Sequence, residues 1–219
     1  MNTPFTEHPQ RRAPGMGPGA PGYLWVLVGV MAVIEALLGL SDAGYLLPEG
    51  LRWSAFALGA FWQPLLSGQV APIYPGQTVV MFLSYAFLHG GLAHLALNSV
   101  VLLALGKLAT VRIGMKRTLA VLALSAVGGA VVFGLLSTGG VPMIGASGAV
   151  FGLLGLWQAW DYRMRKRMGQ PLKPVLTTIL ALIVANVVFF VILGGGLAWE
   201  AHLGGWLVGW IAGQSFARS

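Results

Sequence analysis

The sequence predicts an all-α membrane protein: a bundle of six transmembrane helices with a first loop that hugs the membrane. Three observations lead there. Of 219 residues, 57% are hydrophobic and 9% charged, against about 25% charged in soluble domains. Six apolar runs, near residues 23–40, 86–106, 119–136, 141–162, 175–193 and 199–216, are long enough to cross a bilayer, for which ~20 residues suffice. The basic residues gather in the short links between those runs, where they set orientation. That placement, and not nucleic-acid binding, accounts for the net charge of +7.

Residues 1–22 are polar and rich in proline and glycine, a composition that cannot build a core. They read as a disordered cytoplasmic tail, and 23–219 as one six-span domain. The run from Tyr23 to Leu40 follows Arg11 and Arg12 but outlasts a signal-peptide core of roughly 7–15 residues; it reads as a retained span. With the N-terminus inside, the inner segments hold Arg11, Arg12, Lys107, Arg112, Lys116, Arg117, Arg163, Arg165, Lys166, Arg167, Lys173 and Arg218. Of the 13 basic residues only Arg52 falls outside. Both termini are thus expected in the cytoplasm. The connection 41–85 is too long for a bare loop, and its stretch from Leu51 to Trp62 is aromatic and apolar, as in helices lying in the membrane interface. The chain has no cysteine, which excludes disulfides, a thiolate zinc site and a cysteine nucleophile.

The second span opens with His89, His94 and Asn98. His94 and Asn98, four apart, share a helix face, and polar groups in a membrane helix are expensive without a partner or a task. The fourth span opens with Gly145-Ala146-Ser147-Gly148, and Gly148, Gly152 and Gly155 form a smooth stripe beside the serine. Alone, a serine among small residues commonly bonds a backbone carbonyl. In the sixth span Gly205, Gly209 and Gly213 recur every four residues, with His202 three before Gly205. Close helix packing accounts for those glycines. It does not account for the histidine.

Spans two, four and six run in the same direction, so His94 with Asn98, Ser147, and His202 fall at one depth near the outer surface. Such a set suits acyl transfer. A serine hydroxyl becomes a nucleophile when a base takes its proton, and His202 is the histidine on the partner helix. His94, Asn98 and the Ser147 amide are suited to hold an oxyanion. Glu200 is too close to His202 in sequence and lies on another helix face, so a Ser–His dyad is expected, needing no cofactor and no metal.

Three blocks, His89-x4-His94-x3-Asn98, Gly145-x-Ser147-Gly148 and Ala201-His202-x2-Gly205-x3-Gly209, on alternate spans, resemble those of rhomboid intramembrane serine proteases. The resemblance covers about residues 23–216. It implies Ser147 as nucleophile, His202 as base and acid, His94 and Asn98 as oxyanion ligands, and His89 as a structural histidine. It implies that the glycines around Gly205 and Gly209 bring Ser147 and His202 together. Residues 194–198 would be a cap, and the span with Phe189 and Phe190 the side from which substrate comes. The compact form resembles bacterial rhomboids, implying a plasma membrane. Two positions depart from the family. A Trp-Arg pair common in the first loop is replaced by Val80 and Met81, so the loop must be braced otherwise; a tyrosine common four residues after the serine is Phe151, which can stack on His202 but has no hydroxyl.

Hydrolysis in a membrane also needs water, expected from a cavity among spans two, four and six lined by His94, Asn98, Ser147 and His202. Substrates are expected to be single-span proteins with helix-weakening residues, because a helix hides its carbonyls in hydrogen bonds. Two other readings stand beside the protease. An inactive relative that binds or escorts membrane proteins would lack Ser147 or His202. A small transporter would show inverted repeats or charges deep in its spans, whereas Glu35 and Asp161 lie toward the ends of theirs.

Overall fold

The structure, a computed structural model, describes residues 19–45, 48–138 and 140–216. The expected disordered tail lies outside the described residues up to residue 18; Gly22 already belongs to the first helix. The described chain is helical apart from one isolated backbone bridge. Six helices of 17 to 22 residues make the bundle: α1 (Gly22–Asp42), α5 (Leu92–Ile113), α6 (Met115–Leu136), α7 (Ser147–Arg167), α8 (Lys173–Ile192) and α9 (Trp199–Ser215). Between α1 and α5 the first loop folds into α2 (Leu51–Gly59), α3 (Gln63–Leu66), α4 (Gln77–Ser84) and a 3₁₀ turn, Tyr85–Phe87.

Helices α1, α5, α6 and α8 are long and apolar enough to cross a membrane by length and composition. The other two fall short for simple reasons. Helix α7 ends in the charged run from Asp161 to Arg167, and α9 has 17 residues. Two expected starts also move. Residues 88–91 are not helical, and α5 begins only after Gly91, whose φ of 129° a side chain would resist; α7 begins at Ser147 and not near 141, after Gly145 at φ 111°. Both delays place the polar residues of interest in the first turns of their helices.

α7 is the centre of the bundle, with α9 laid along it and α6 behind both. The approach is closest where side chains are missing. A Cβ added at Gly205 would run into the Gly148 carbonyl, one at Gly209 into the Gly152 carbonyl, and one at Gly155 into the Trp206 carbonyl. On its other side α9 meets α6 in the same way, with Gly204 on the Gly128 carbonyl, and a Cβ at Gly129 would stand 2.9 Å from the Ala201 oxygen. Lipid offers no hydrophobic drive between helices, so close van der Waals approach of this kind is what holds them. α1 packs by a single stripe (Leu24, Met31, Glu35, Leu38, Ser41), with Leu24 filling the space over Gly106 of α5 and the Tyr23 hydroxyl on Thr110 at 2.5 Å. In α8 the buried residue is Val175.

The first loop is sewn to the bundle at three places. Phe61 and Met143 exchange both backbone hydrogen bonds, at 3.0 and 2.8 Å, and Trp62 Nε1 donates to the Gly140 carbonyl at 2.7 Å. The Gly145 amide donates to the Tyr85 carbonyl at 2.9 Å. From α2, Arg52 grips the buried Glu35 of α1 with two nitrogens, at 2.9 and 3.1 Å, reaches Asp42 at 2.6 Å and donates to the His89 carbonyl at 2.8 Å. These contacts supply the bracing that Val80 and Met81 cannot: Met81 is buried, Val80 is exposed, and neither side chain is polar. The Glu35 hydrogen bond raises the Arg52 guanidinium pKa above its ordinary value.

Arg52→Ala leaves the Glu35 carboxylate, 2% exposed, without its cation. Stranding one partner of a buried pair costs about 3–5 kcal/mol, so the detergent-solubilised variant should melt several degrees lower by scanning fluorimetry. Adding Glu35→Gln should restore part of that loss. If Arg52→Ala melts with the wild type, the brace is not structural.

Candidate active site

Ser147 is the first residue of α7. Its side chain is partly exposed, and its amide is among the first-turn N–H groups that have no partner within a helix. Gly145 turns the chain just before it. A Cβ there would stand 2.7 Å from both Cε1 and Nε2 of His94 and 3.7 Å from Asn98 Nδ2. The loop leading to Ser147 therefore lies directly on the inner face of α5. Asn98 is 6% exposed, and its Nδ2 is buried without a hydrogen-bond partner among the described residues. Buried donors are nearly always satisfied, so an idle one calls for an explanation.

His202 meets α7 from the opposite side. It is 7% exposed and lies flat on Phe151, ring centroids 4.0 Å apart and planes within 6°. Phe151 stands one turn after Ser147, and Gly205, one turn after His202, rests on Gly148. Ser147 and His202 thus face one another's helix at the same level. The His202 ring is held by a second contact that sequence reasoning missed: its Nδ1 lies 2.6 Å from Asn186 Oδ1 of α8. His89 precedes α5 and is fully buried, its ring 5.0 Å from that of His94 and tilted by 69°, with neither nitrogen hydrogen-bonded among the described residues. Its contribution to the frame is its carbonyl, which accepts from Arg52.

A cavity of about 450 Å³ opens between α7, α8 and α9. His202 and Asn186 are the polar exceptions in walls made by residues such as Phe151, Leu182, Phe190 and Trp199. It differs from the cavity expected among the second, fourth and sixth runs, because His94, Asn98 and Ser147 do not line it. The cause is the sparse packing of α8, which leaves room on that flank. Among the described residues no three histidine or carboxylate side chains group as metal ligands.

The site residues occupy the segment of the chain, residues 76–219, that matches the Rhomboid domain family model. The chain belongs to the rhomboid family. It is an integral membrane protein, as the apolar helices require. This rhomboid is 29% identical over 149 residues to RHOMBOID-like protein 4 of Arabidopsis thaliana, covering 66% of this chain and 36% of that protein. It is 33% identical over 141 residues to RHOMBOID-like protein 5 of the same plant, covering 60% and 42%. The chain therefore spans well under half the length of these curated relatives.

Proposed function

We propose that this rhomboid is an intramembrane serine endopeptidase of six spans, cutting single-span membrane proteins in or near their transmembrane segments. One observation carries the reading: the start of α7 is gripped from two sides, by His94 and Asn98 against Gly145 and by His202 against Phe151. In this reading Ser147 attacks the scissile carbonyl while His202 takes its proton and later returns it to the leaving amine. The tetrahedral oxyanion receives the Ser147 amide, the His94 ring and the idle Nδ2 of Asn98. A buried donor with no ground-state partner is the preorganisation that stabilises charge appearing only in the transition state. His89 and Phe151 support the site without touching substrate, and Gly205 and Gly209 set the distance between the two reacting helices.

The membrane supplies the rest of the frame. With residues 1–22 and the C-terminal end cytoplasmic, the basic links lie inside and the dyad near the outer leaflet, in what we take to be a bacterial plasma membrane. Bilayer and transmembrane substrate are then the partners; no nucleic acid, metal or cofactor takes part. Substrate helices must unwind locally to offer a carbonyl, which favours segments weakened by glycine or proline.

Reactivity of the serine tests this without a known substrate. A fluorophosphonate probe should label the wild-type protein in detergent and leave Ser147→Ala unlabelled. Equal labelling of both proteins, or of neither, would remove the protease assignment and leave a binding or escort role.

A further inference from the structure

Resting on the protease reading, we propose that Asn186 of α8 is a positioning residue for His202: it holds the imidazole proton on Nδ1, keeping Nε2 free as the base, and ties that competence to α8. The argument starts from the amide. Asn186 Nδ2 donates to the Leu182 carbonyl one turn back, at 2.9 Å. That bond fixes which way the amide faces and leaves Oδ1 toward His202. An amide oxygen only accepts, so at 2.6 Å Nδ1 of His202 must be the donor. A neutral imidazole carries one N–H, so its lone pair is on Nε2. Stacking on Phe151 fixes the plane of the ring, and Asn186 fixes its rotation within that plane. Serine hydrolases that use a third residue employ it for the same two tasks, tautomer and orientation.

The placement of this asparagine is itself informative. α8 is apolar on all sides, and its threonines are occupied locally: Thr177 and Thr178 bond the Lys173 and Val175 carbonyls of their own helix at 2.9 Å. Asn186, two-thirds of the way along, instead reaches across to a side chain of α9 and looks onto the cavity with His202. A polar side chain within a membrane helix is a functional candidate by default. With little of α8 buried, this bond is a specific tie between its outer half and the rest of the protein. Any movement of α8 away from α9 takes the tautomer lock with it.

The rate of fluorophosphonate labelling at Ser147, followed from acid to mildly alkaline pH, reads the state of the base directly. Asn186→Leu keeps the size and removes the acceptor; it should label about ten- to hundredfold slower, part of the roughly 10²–10⁴ that a positioned acid–base group supplies. Asn186→Asp keeps the acceptor and adds a charge. It should label well, but with the acid limb moved to higher pH, because a carboxylate beside the ring favours imidazolium and the base works only when neutral. His94 is the titratable group that faces His202 from another helix, and it is the same in every variant. Wild-type rates in Asn186→Leu, or an unmoved acid limb in Asn186→Asp, would overturn the proposal. Should Asn186→Leu fail to fold by thermal denaturation, the Asn186→Asp limb decides alone. Wild-type protein that labels no more than Ser147→Ala removes the protease reading and this proposal with it, an outcome distinct from a labelled wild type with indifferent Asn186 variants.

Discussion

Alanine at Ser147 or at His202 should each lower cleavage of a tagged single-span protein by roughly 10⁶, and the double variant should be no slower than either alone; that is how residues acting as one unit behave in soluble serine proteases. The non-additivity is the informative part. A serine that needs the histidine to become nucleophilic has nothing left to lose once the histidine is gone. The geometry favours this coupling: His202 lies flat on Phe151, one turn from Ser147, and the helices bearing them touch at Gly148 and Gly205. Band intensities after long incubation give the residual rates. Losses that multiply in the double variant would mean two independent contributions, and the dyad would have to be abandoned.

The second large effect should come from a single methyl group. Gly209→Ala places a Cβ against the Gly152 carbonyl, and a main-chain carbonyl cannot rotate away as a side chain can. Alanine is intrinsically the better helix former by about 1 kcal/mol, yet overpacking costs about 1–3 kcal/mol and occasionally more. The clash should win. The variant should melt lower in detergent and label more slowly at Ser147, because the helices part just where the serine and histidine must meet. Gly29→Ala is the matched control: in α1 the added Cβ meets nothing within 4 Å, so the propensity gain stands alone and stability should hold or rise. Gly209→Ala with wild-type melting and labelling would show that the contact between α7 and α9 is looser than drawn.

The long helices were legible because an apolar run of spanning length has few other uses in water or in lipid. Their starts were not, since Gly91 and Gly145 interrupt runs that hydropathy treats as continuous. His94, Asn98, Ser147 and His202 were found from topology: parallel spans put residues with no sequence relation at one depth. Asn186 was missed because a single amide in a strongly apolar helix carries no motif. Its signal was available all the same, as the polar residue of that run farthest from the basic end. The Arg52–Glu35 pair was missed for a different reason. Each looked like a tolerable exception, one base outside and one acid near a helix end, and pairing across 17 residues of loop is a tertiary event that no periodicity records.

The glycine contacts between α7 and α9 also bear on how steadily the site is held. Side-chain interfaces have rotamers, and each hop shifts the helices by a fraction of an ångström. Here the touching atoms are main-chain carbonyls and Cα groups: Gly148 on Gly205, Gly152 on Gly209. Glycine has no side-chain entropy to lose on packing and no alternative χ angle to adopt. The register between nucleophile and base is thus carried by the covalent geometry of two backbones, which has no alternative rotameric setting.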